Sequence, residues 1–294
     1  MTITRALLIV NPAARSAAKL SDDAVRAFAG VGVTCEVRNT ERTGHAAEIA
    51  RSFGAGYDAV FTLGGDGTAI EAIGALAGSM TPVGVLPGGT GNVLARSLKI
   101  PMSVSAAVRA LHSGGETRYD LGKLSDGRHF VIGVGVGVDA EMIAGASTSS
   151  KQALGPLAYF ISGTKAGLKL DRFAYRITAD GVVHEGKAIS VLVANLGKIL
   201  GGLITLGTQI KHDDGVLHVC VFAPSSVLQA ITTFGQMLTG GAREGGAVTY
   251  IAGRSIRIET TPAKLCQSDG EMLGTTPIEM IVVAGAARLL TPSR

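Results

Sequence analysis

Two glycine turns carry the residues that could do chemistry. The first reads Thr62-Leu63-Gly64-Gly65-Asp66-Gly67-Thr68 and the second Leu86-Pro87-Gly88-Gly89-Thr90-Gly91-Asn92. Glycine lets backbone N–H groups come close to phosphate oxygens, and a helix that starts just beyond the turn adds partial positive charge. An aspartate in such a turn repels phosphate unless a divalent cation stands between them. Gly64, Gly65, Gly67 and Thr68, with Gly89, Thr90 and Asn92, are therefore candidate phosphate contacts, and Asp66 is the candidate carboxylate for Mg2+. The pattern points to a metal–nucleotide and to phosphoryl transfer. An Asx-type helix cap is the plainer role for Asp66. No Gly-x4-Gly-Lys-Ser/Thr stretch occurs, which excludes a P-loop NTPase, and the protein-kinase motifs are absent.

Strands must deliver these turns. Asp58-Ala59-Val60-Phe61-Thr62-Leu63 feeds the first and Pro82-Val83-Gly84-Val85-Leu86 the second, so both fall at the carboxyl ends of neighbouring parallel strands, where open α/β sheets bind ligands. Strands are expected over Ala6–Val10, Val33–Val37, Ala59–Leu63 and Val83–Leu86. Helices are expected over Ala17–Ala29, His45–Phe53, Thr68–Ala77, Asn92–Ser97 and Ser103–Ser113. That alternation predicts an α/β domain with a parallel sheet over residues 1–120. From about Thr117 short apolar or alternating runs take over: Phe130–Val136, Ala174–Thr178, Ala188–Ala194, Leu217–Phe222, Ser255–Thr260 and Ile278–Val283. Gly, Asp and Pro punctuate them, predicting an antiparallel, sandwich-like all-β domain over 121–294, with the last residues packing back on the first domain. Two amphipathic helices interrupt it, Leu157–Leu170 and Val227–Leu238. Packing on the sandwich is their plain role, and a lid or acyl-chain groove their functional one.

Composition narrows the classes. Of 294 residues 46% are hydrophobic and 17% charged, which fits a folded globular chain and excludes disorder. The net charge of +4 suits an anionic nucleotide or membrane surface and decides little. There is no Trp, aromatics make up 4%, and no dense Lys/Arg block occurs, so nucleic acid is not an expected partner. Cys35, Cys220 and Cys266 are too widely spaced for a zinc site and read as buried reduced thiols. Ala6–Val10 is too short for a signal-peptide core. No uncharged run of roughly twenty apolar residues is present, so membrane contact is expected to be peripheral only.

The ordered set of motifs resembles the diacylglycerol-kinase catalytic domain family of bacterial lipid kinases and sphingosine-kinase-like enzymes. Its carriers are Gly64-Gly65-Asp66-Gly67-Thr68 with Glu71, Pro87-Gly88-Gly89-Thr90-Gly91-Asn92 with Ala95-Arg96, Asn11-Pro12 closing the first strand, Phe130 to Asp139, Asp213-Asp214-Gly215-Val216-Leu217 and Asp269-Gly270-Glu271. The resemblance implies ATP and Mg2+ as cofactors and a lipid substrate at the membrane surface. It also implies a cytoplasmic protein, peripheral at most at the inner membrane face, and, by family habit, a homodimer. Asn11, Thr40 and Glu71 would join the nucleotide contacts. Glu271 would accept the proton of the lipid hydroxyl, with Asp269 assisting, and would have to meet Asp66 across an interdomain cleft. Asp120 would support the same metal network. Asp214, with the carbonyls of Lys211 and Val216, would form a second metal site. Read on their own, Asp120 is a surface turn, Asp213-Asp214-Gly215 a hairpin turn, and Asp-Gly-Glu between strands a solvated hairpin turn.

The chain also departs from that family. Val93 stands where many members carry an aspartate, Lys211 replaces an oxygen-bearing side chain, and Asn11-Pro12-Ala13-Ala14-Arg15 lacks the common Ser-Gly. Two alternatives follow. An NAD kinase shares the first glycine turn, though nothing here matches its later Thr-Pro-Thr-Gly-Ser-Thr-Ala-Tyr-like segment. A non-catalytic nucleotide- or lipid-binding relative would explain Val93.

Overall fold

Every residue from Ala59 to Gly64 and from Val83 to Pro87 is buried, as are Ala6 to Val10. Strands buried on both sides pair in parallel beneath two layers of helix. The computed structural model describes residues 2–14, 17–137, 140, 172–199, 202–241 and 245–293. In it β1 (Arg5–Val10), β2 (Thr34–Asn39), β3 (Ala59–Gly64) and β4 (Val83–Pro87) form a parallel ladder in the order β2-β1-β3-β4. Between and after them run α1 (Ala17–Gly30), α2 (His45–Phe53), α3 (Asp66–Ala75), α4 (Val93–Ser97) and α5 (Val104–His112). Phe28 of α1 meets Phe61 edge-on, with ring centroids 4.7 Å apart. A side chain at Gly54 would instead press on Leu76 and on Val60, which points away from Phe61. Helices thus cover both faces of the sheet. The helix expected from Thr68 starts at Asp66, and the one expected from Asn92 starts at Val93, because Asn92 is left-handed at φ 47.

Met1–Leu121 and Ala284–Arg294 belong to this unit, and Gly122–Ile199 with Leu203–Val283 form a second. The chain leaves the first unit along β5 (Gly115–Leu124). The second unit contains β6 (His129–Phe130), β7 (Gly133–Gly137), β8 (Phe173–Ala179), β9 (Val182–Ala188), β10 (Ser190–Ala194), β11 (Lys198–Ile199), β12 (Ile204–Thr205) and β13 (Leu217–Phe222). After α6 (Val227–Thr239) come β14 (Val248–Gly253), β15 (Ser255–Thr261), β16 (Leu265–Ser268) and β17 (Glu271–Thr275). The last strand, β18 (Ile278–Thr291), returns to the first unit, where Leu289 lies parallel to Val83.

One antiparallel sheet of the second unit runs β14-β13-β10-β7-β16-β17. The other runs from the first half of β18 through β15 and β8 to β9. Alternate residues of both sheets, among them Val134, Val136, Val191, Val193, Val219 and Val221 against Phe173, Ile177, Ile256 and Ile258, make one buried core. This is a β-sandwich. Two expected strands are divided. Ala188–Ala194 breaks at Ile189, where the chain passes from one sheet to the other. Phe130–Val136 breaks because the amides of Val131, Ile132 and Gly133 leave the ladder for the Asp269 carboxylate. The expected helix Leu157–Leu170 and Asp139 lie outside the described residues. Among the described residues no helix is long and apolar enough to cross a membrane.

Candidate active site

The order β2-β1-β3 places a topological switch point between β1 and β3, and open α/β sheets take ligands there, beyond the carboxyl ends of the strands. Asn11 follows β1. Its N–H donates to Leu63 O at 2.9 Å, its side-chain nitrogen to Thr68 Oγ1 at 3.4 Å, and its side-chain oxygen accepts from Ala13 N at 3.0 Å. Gly64 ends β3 beneath Thr68, so close that a Cβ there would lie 2.6 Å from Thr68 Oγ1. The two glycine turns touch backbone to backbone. Gly88 N donates to Gly64 O at 3.2 Å, and a Cβ on Gly89 would fall 2.5 Å from Gly65 Cα.

The acidic residues of α3 serve its neighbours. Asp66 Oδ1 accepts the N–H of Leu94, at the start of α4, at 3.0 Å. Glu71 accepts Gly44 N at 2.9 Å and Ala46 N at 3.1 Å, at the start of α2. Both therefore occupy orphan donors of other helices and sit at their positive ends. Asn92 closes the second turn on itself, accepting from Gly89 N at 2.9 Å and donating to Gly89 O at 2.7 Å. The Gly89 amide is thus used within the turn. Thr90 stands exposed on that turn, while Thr40 is buried after β2 with its N–H on Val10 O.

What remains open is the start of α3 itself. Its N-cap is Gly65, and no side chain caps it. The first-turn amides of Asp66, Gly67 and Thr68 have no partner within the helix. A Cβ on Gly65 or Gly67 would meet no atom within 4 Å. Bare backbone donors, a helix start and empty space make an anion site. The second oxygen of Asp66, Oδ2, borders Gly91, where a Cβ would lie 3.1 Å from it. One tethered and one free carboxylate oxygen suit Mg2+, which takes one or two protein carboxylates with phosphates and waters.

The other acids are placed differently. Asp120 is buried at 3% exposure and accepts Gly285 N at 2.7 Å, holding the left-handed turn of β18 at φ 58. In the second unit Asp269 and Gly270 join β16 to β17, both with positive φ, as a two-residue hairpin turn requires. The Asp269 side chain is not solvated: it accepts from Val131 N at 2.8 Å, Ile132 N at 3.0 Å and Gly133 N at 2.9 Å. Next to this clamp, Glu271 begins β17 as an exposed side chain with no side-chain hydrogen bond among the described residues. Asp126, with a smaller share from Glu271, pushes the Arg128 guanidinium above its ordinary range. Arg128 is thus a cation that feels the Glu271 carboxylate, and Asp126-Gly127-Arg128 beside a strand was the signal for it in the sequence. Asp214 accepts Val216 N at 3.3 Å and faces His218 Nε2 at 2.9 Å, with Lys211 exposed nearby in sequence. A cation at that loop would have to compete with both contacts. Among the described residues no cluster of three His, Cys, Asp or Glu side chains could hold a metal.

Comparison with known proteins agrees with this architecture. Residues 5–124 match the family model of the diacylglycerol kinase catalytic domain, and residues 132–291 match the YegS C-terminal NAD kinase beta sandwich-like domain. A provisionally named lipid kinase of Staphylococcus aureus is 30% identical over 82% of this chain and 79% of its own length. An uncharacterized protein of Synechocystis sp. is 27% identical over 82% of this chain, but the match spans only 57% of that protein. The crystal structure of a provisionally named diacylglycerol kinase from Bacillus anthracis superposes with a TM-score of 0.86 at 26% identity, over 99% of this chain and 96% of the other. With a parallel α/β unit carrying paired glycine turns and a β-sandwich behind it in sequence, the chain belongs to the diacylglycerol kinase catalytic domain family.

Proposed function

We propose that the protein transfers the γ-phosphate of ATP to the hydroxyl of a lipid alcohol, diacylglycerol-like or sphingoid. The observation that carries the reading is the start of α3, bare and open while its own acids cap α2 and α4. The amides of Gly67 and Thr68 bind phosphate oxygens, and glycine at 65 and 67 keeps side chains out of the way. Bound Mg2+ supplies charge neutralisation along the phosphates, and the free oxygen of Asp66 is the group that would hold it. Glu271 accepts the proton of the lipid hydroxyl as its oxygen bonds to the γ-phosphorus, and ADP leaves with the electrons of the broken bond. Asp269 positions Glu271 by fixing the hairpin, with its own oxygens taken up by backbone amides.

The test uses γ-labelled ATP, Mg2+ and a bacterial lipid extract, run beside NAD as acceptor and beside Asp66→Asn. Asparagine keeps an acceptor for Leu94 N and removes the charge. Label is expected in the organic phase with the wild type and not with the variant. Label on NAD would overturn the lipid acceptor. Bound ATP with no transfer to either would favour a binding role, for which Val93 is the sequence reason, and a Val93→Asp variant should then gain activity.

A further inference from the structure

Helix α6 is turned the wrong way for a core helix. Its buried positions are Ala230, Thr233 and Met237, while Val227, Leu228, Ile231 and Leu238 are exposed, Leu228 at 71%. At 100° per residue those four fall within one stripe of about 100°. From Ser225 to Ala242 the chain has no charged residue. Soluble surfaces rarely leave so many large apolar side chains together without a use for them.

Cations bracket this stripe. Ahead of α6, the Arg172 guanidinium donates to the carbonyl of Pro224 and is held there. At the far end, Gly241 lies against Thr205 of β12, and β12 pairs with β11, which carries the exposed Lys198. Leu203, at the start of the β12 arm of that hairpin, is 58% exposed. An uncharged apolar helix face between two basic positions is the arrangement that seats a helix in the headgroup boundary of an anionic bilayer. The exposed polar residues of α6, Thr232, Gln236 and Thr239, are uncharged and flank the stripe rather than interrupt it, so the face offers a protein partner no charged group to specify it.

We infer that the exposed face of α6 is a docking surface for an anionic lipid bilayer, with Arg172 and Lys198 at the headgroups and Val227, Leu228, Ile231 and Leu238 in the acyl boundary. The choice of a bilayer over other apolar partners rests in part on the lipid acceptor proposed above. The surface itself does not depend on catalysis.

The experiment is vesicle flotation without nucleotide. It uses the full chain with vesicles of phosphatidylcholine alone or mixed with phosphatidylglycerol, at low and high salt. Activity on a water-soluble short-chain diacylglycerol is measured separately, so that failure of the kinase reading and failure of docking are told apart. Wild type is expected to float with phosphatidylglycerol vesicles and less so at high salt. Leu228→Gln with Ile231→Gln, both exposed and so compatible with folding, is expected to weaken binding at least roughly tenfold. Its melting temperature and short-chain activity should not change. Arg172→Gln with Lys198→Gln should remove the preference for the anionic vesicles. Binding that is unchanged in the glutamine variant overturns the assignment. So does a wild type that ignores vesicles, including one that forms a dimer which the same variant dissociates.

Discussion

Gly65→Ala separates what the fold needs at the first turn from what a ligand needs. Gly65 has φ −82 and ψ 179, which alanine adopts without strain, and its Cβ would meet nothing within 4 Å. Restricting the unfolded chain should stabilise the protein by about 0.4–1 kcal/mol, and replacing a glycine N-cap by alanine costs a similar amount. The two offset, so the melting temperature should stay within roughly 4 °C of wild type. A phosphate drawn to the amides of Gly67 and Thr68, however, would meet the new methyl group. Losing one charge-assisted hydrogen bond costs about 1.5–3 kcal/mol, which weakens binding about ten- to a hundredfold. Scanning fluorimetry without ligand and calorimetric titration with ATP and Mg2+ read the two effects independently. The contrast is Gly89→Ala, whose Cβ would fall 2.5 Å from Gly65 Cα and force the turns apart, so it should lose stability and binding together. A Gly65→Ala protein that binds ATP as tightly as wild type would refute the reasoning, because phosphate then does not approach the start of α3.

Asp269→Asn tolerates the left-handed φ of 49 but leaves one of three backbone amides facing a donor. It should cost about 2–4 kcal/mol, lowering the melting temperature of the second unit by roughly 5–12 °C with ATP affinity intact. Transfer lost at an unchanged melting temperature would instead place Asp269 in the chemistry. His129 is held below its ordinary range, first by burial and then by Lys123. The unfolded chain therefore binds more protons than the folded one between the two pKa values, so stability is full above the unfolded value of about 6.5 and declines as pH falls toward the folded one. Chemical denaturation of wild type and His129→Gln between pH 7.5 and 5 (about the range of a histidine) should show a shallower decline in the variant, and equal slopes would contradict it.

The sheet of the first unit was legible because its strands are continuous apolar runs of the right length, and the glycine turns because they punctuate those runs. What the acids do was not legible. Asp66 meets Leu94 and Glu71 meets Gly44, each across more than twenty positions of chain, and sequence spacing cannot say which amide a carboxylate finds. The edge strand β9, Val182–Ala188, has most of its side chains in solvent and so lacks the alternation that marks a half-buried strand. The ends of β18 were hidden for the opposite reason: Gly285, at φ 58, interrupts the pattern while the strand runs on to Thr291.

The Asp-Gly turns of the second unit show how the same residues can be read twice. Asp180-Gly181 joins β8 to β9 with φ 48 and 85, as Asp269-Gly270 joins β16 to β17. In both, the aspartate side chain turns back to backbone amides of a distant segment: Asp180 accepts from Arg254 N and Ser255 N, and is held below the ordinary carboxylate range by them. No resemblance assigns Asp180 a part in chemistry, yet its geometry is that of Asp269. The clamp therefore recurs at two hairpins of the sandwich, each tied by its aspartate to a neighbouring segment. Asp269 shares that role with Asp180, and of the Asp-Gly-Glu acids Glu271 is the exposed one with no side-chain hydrogen bond among the described residues.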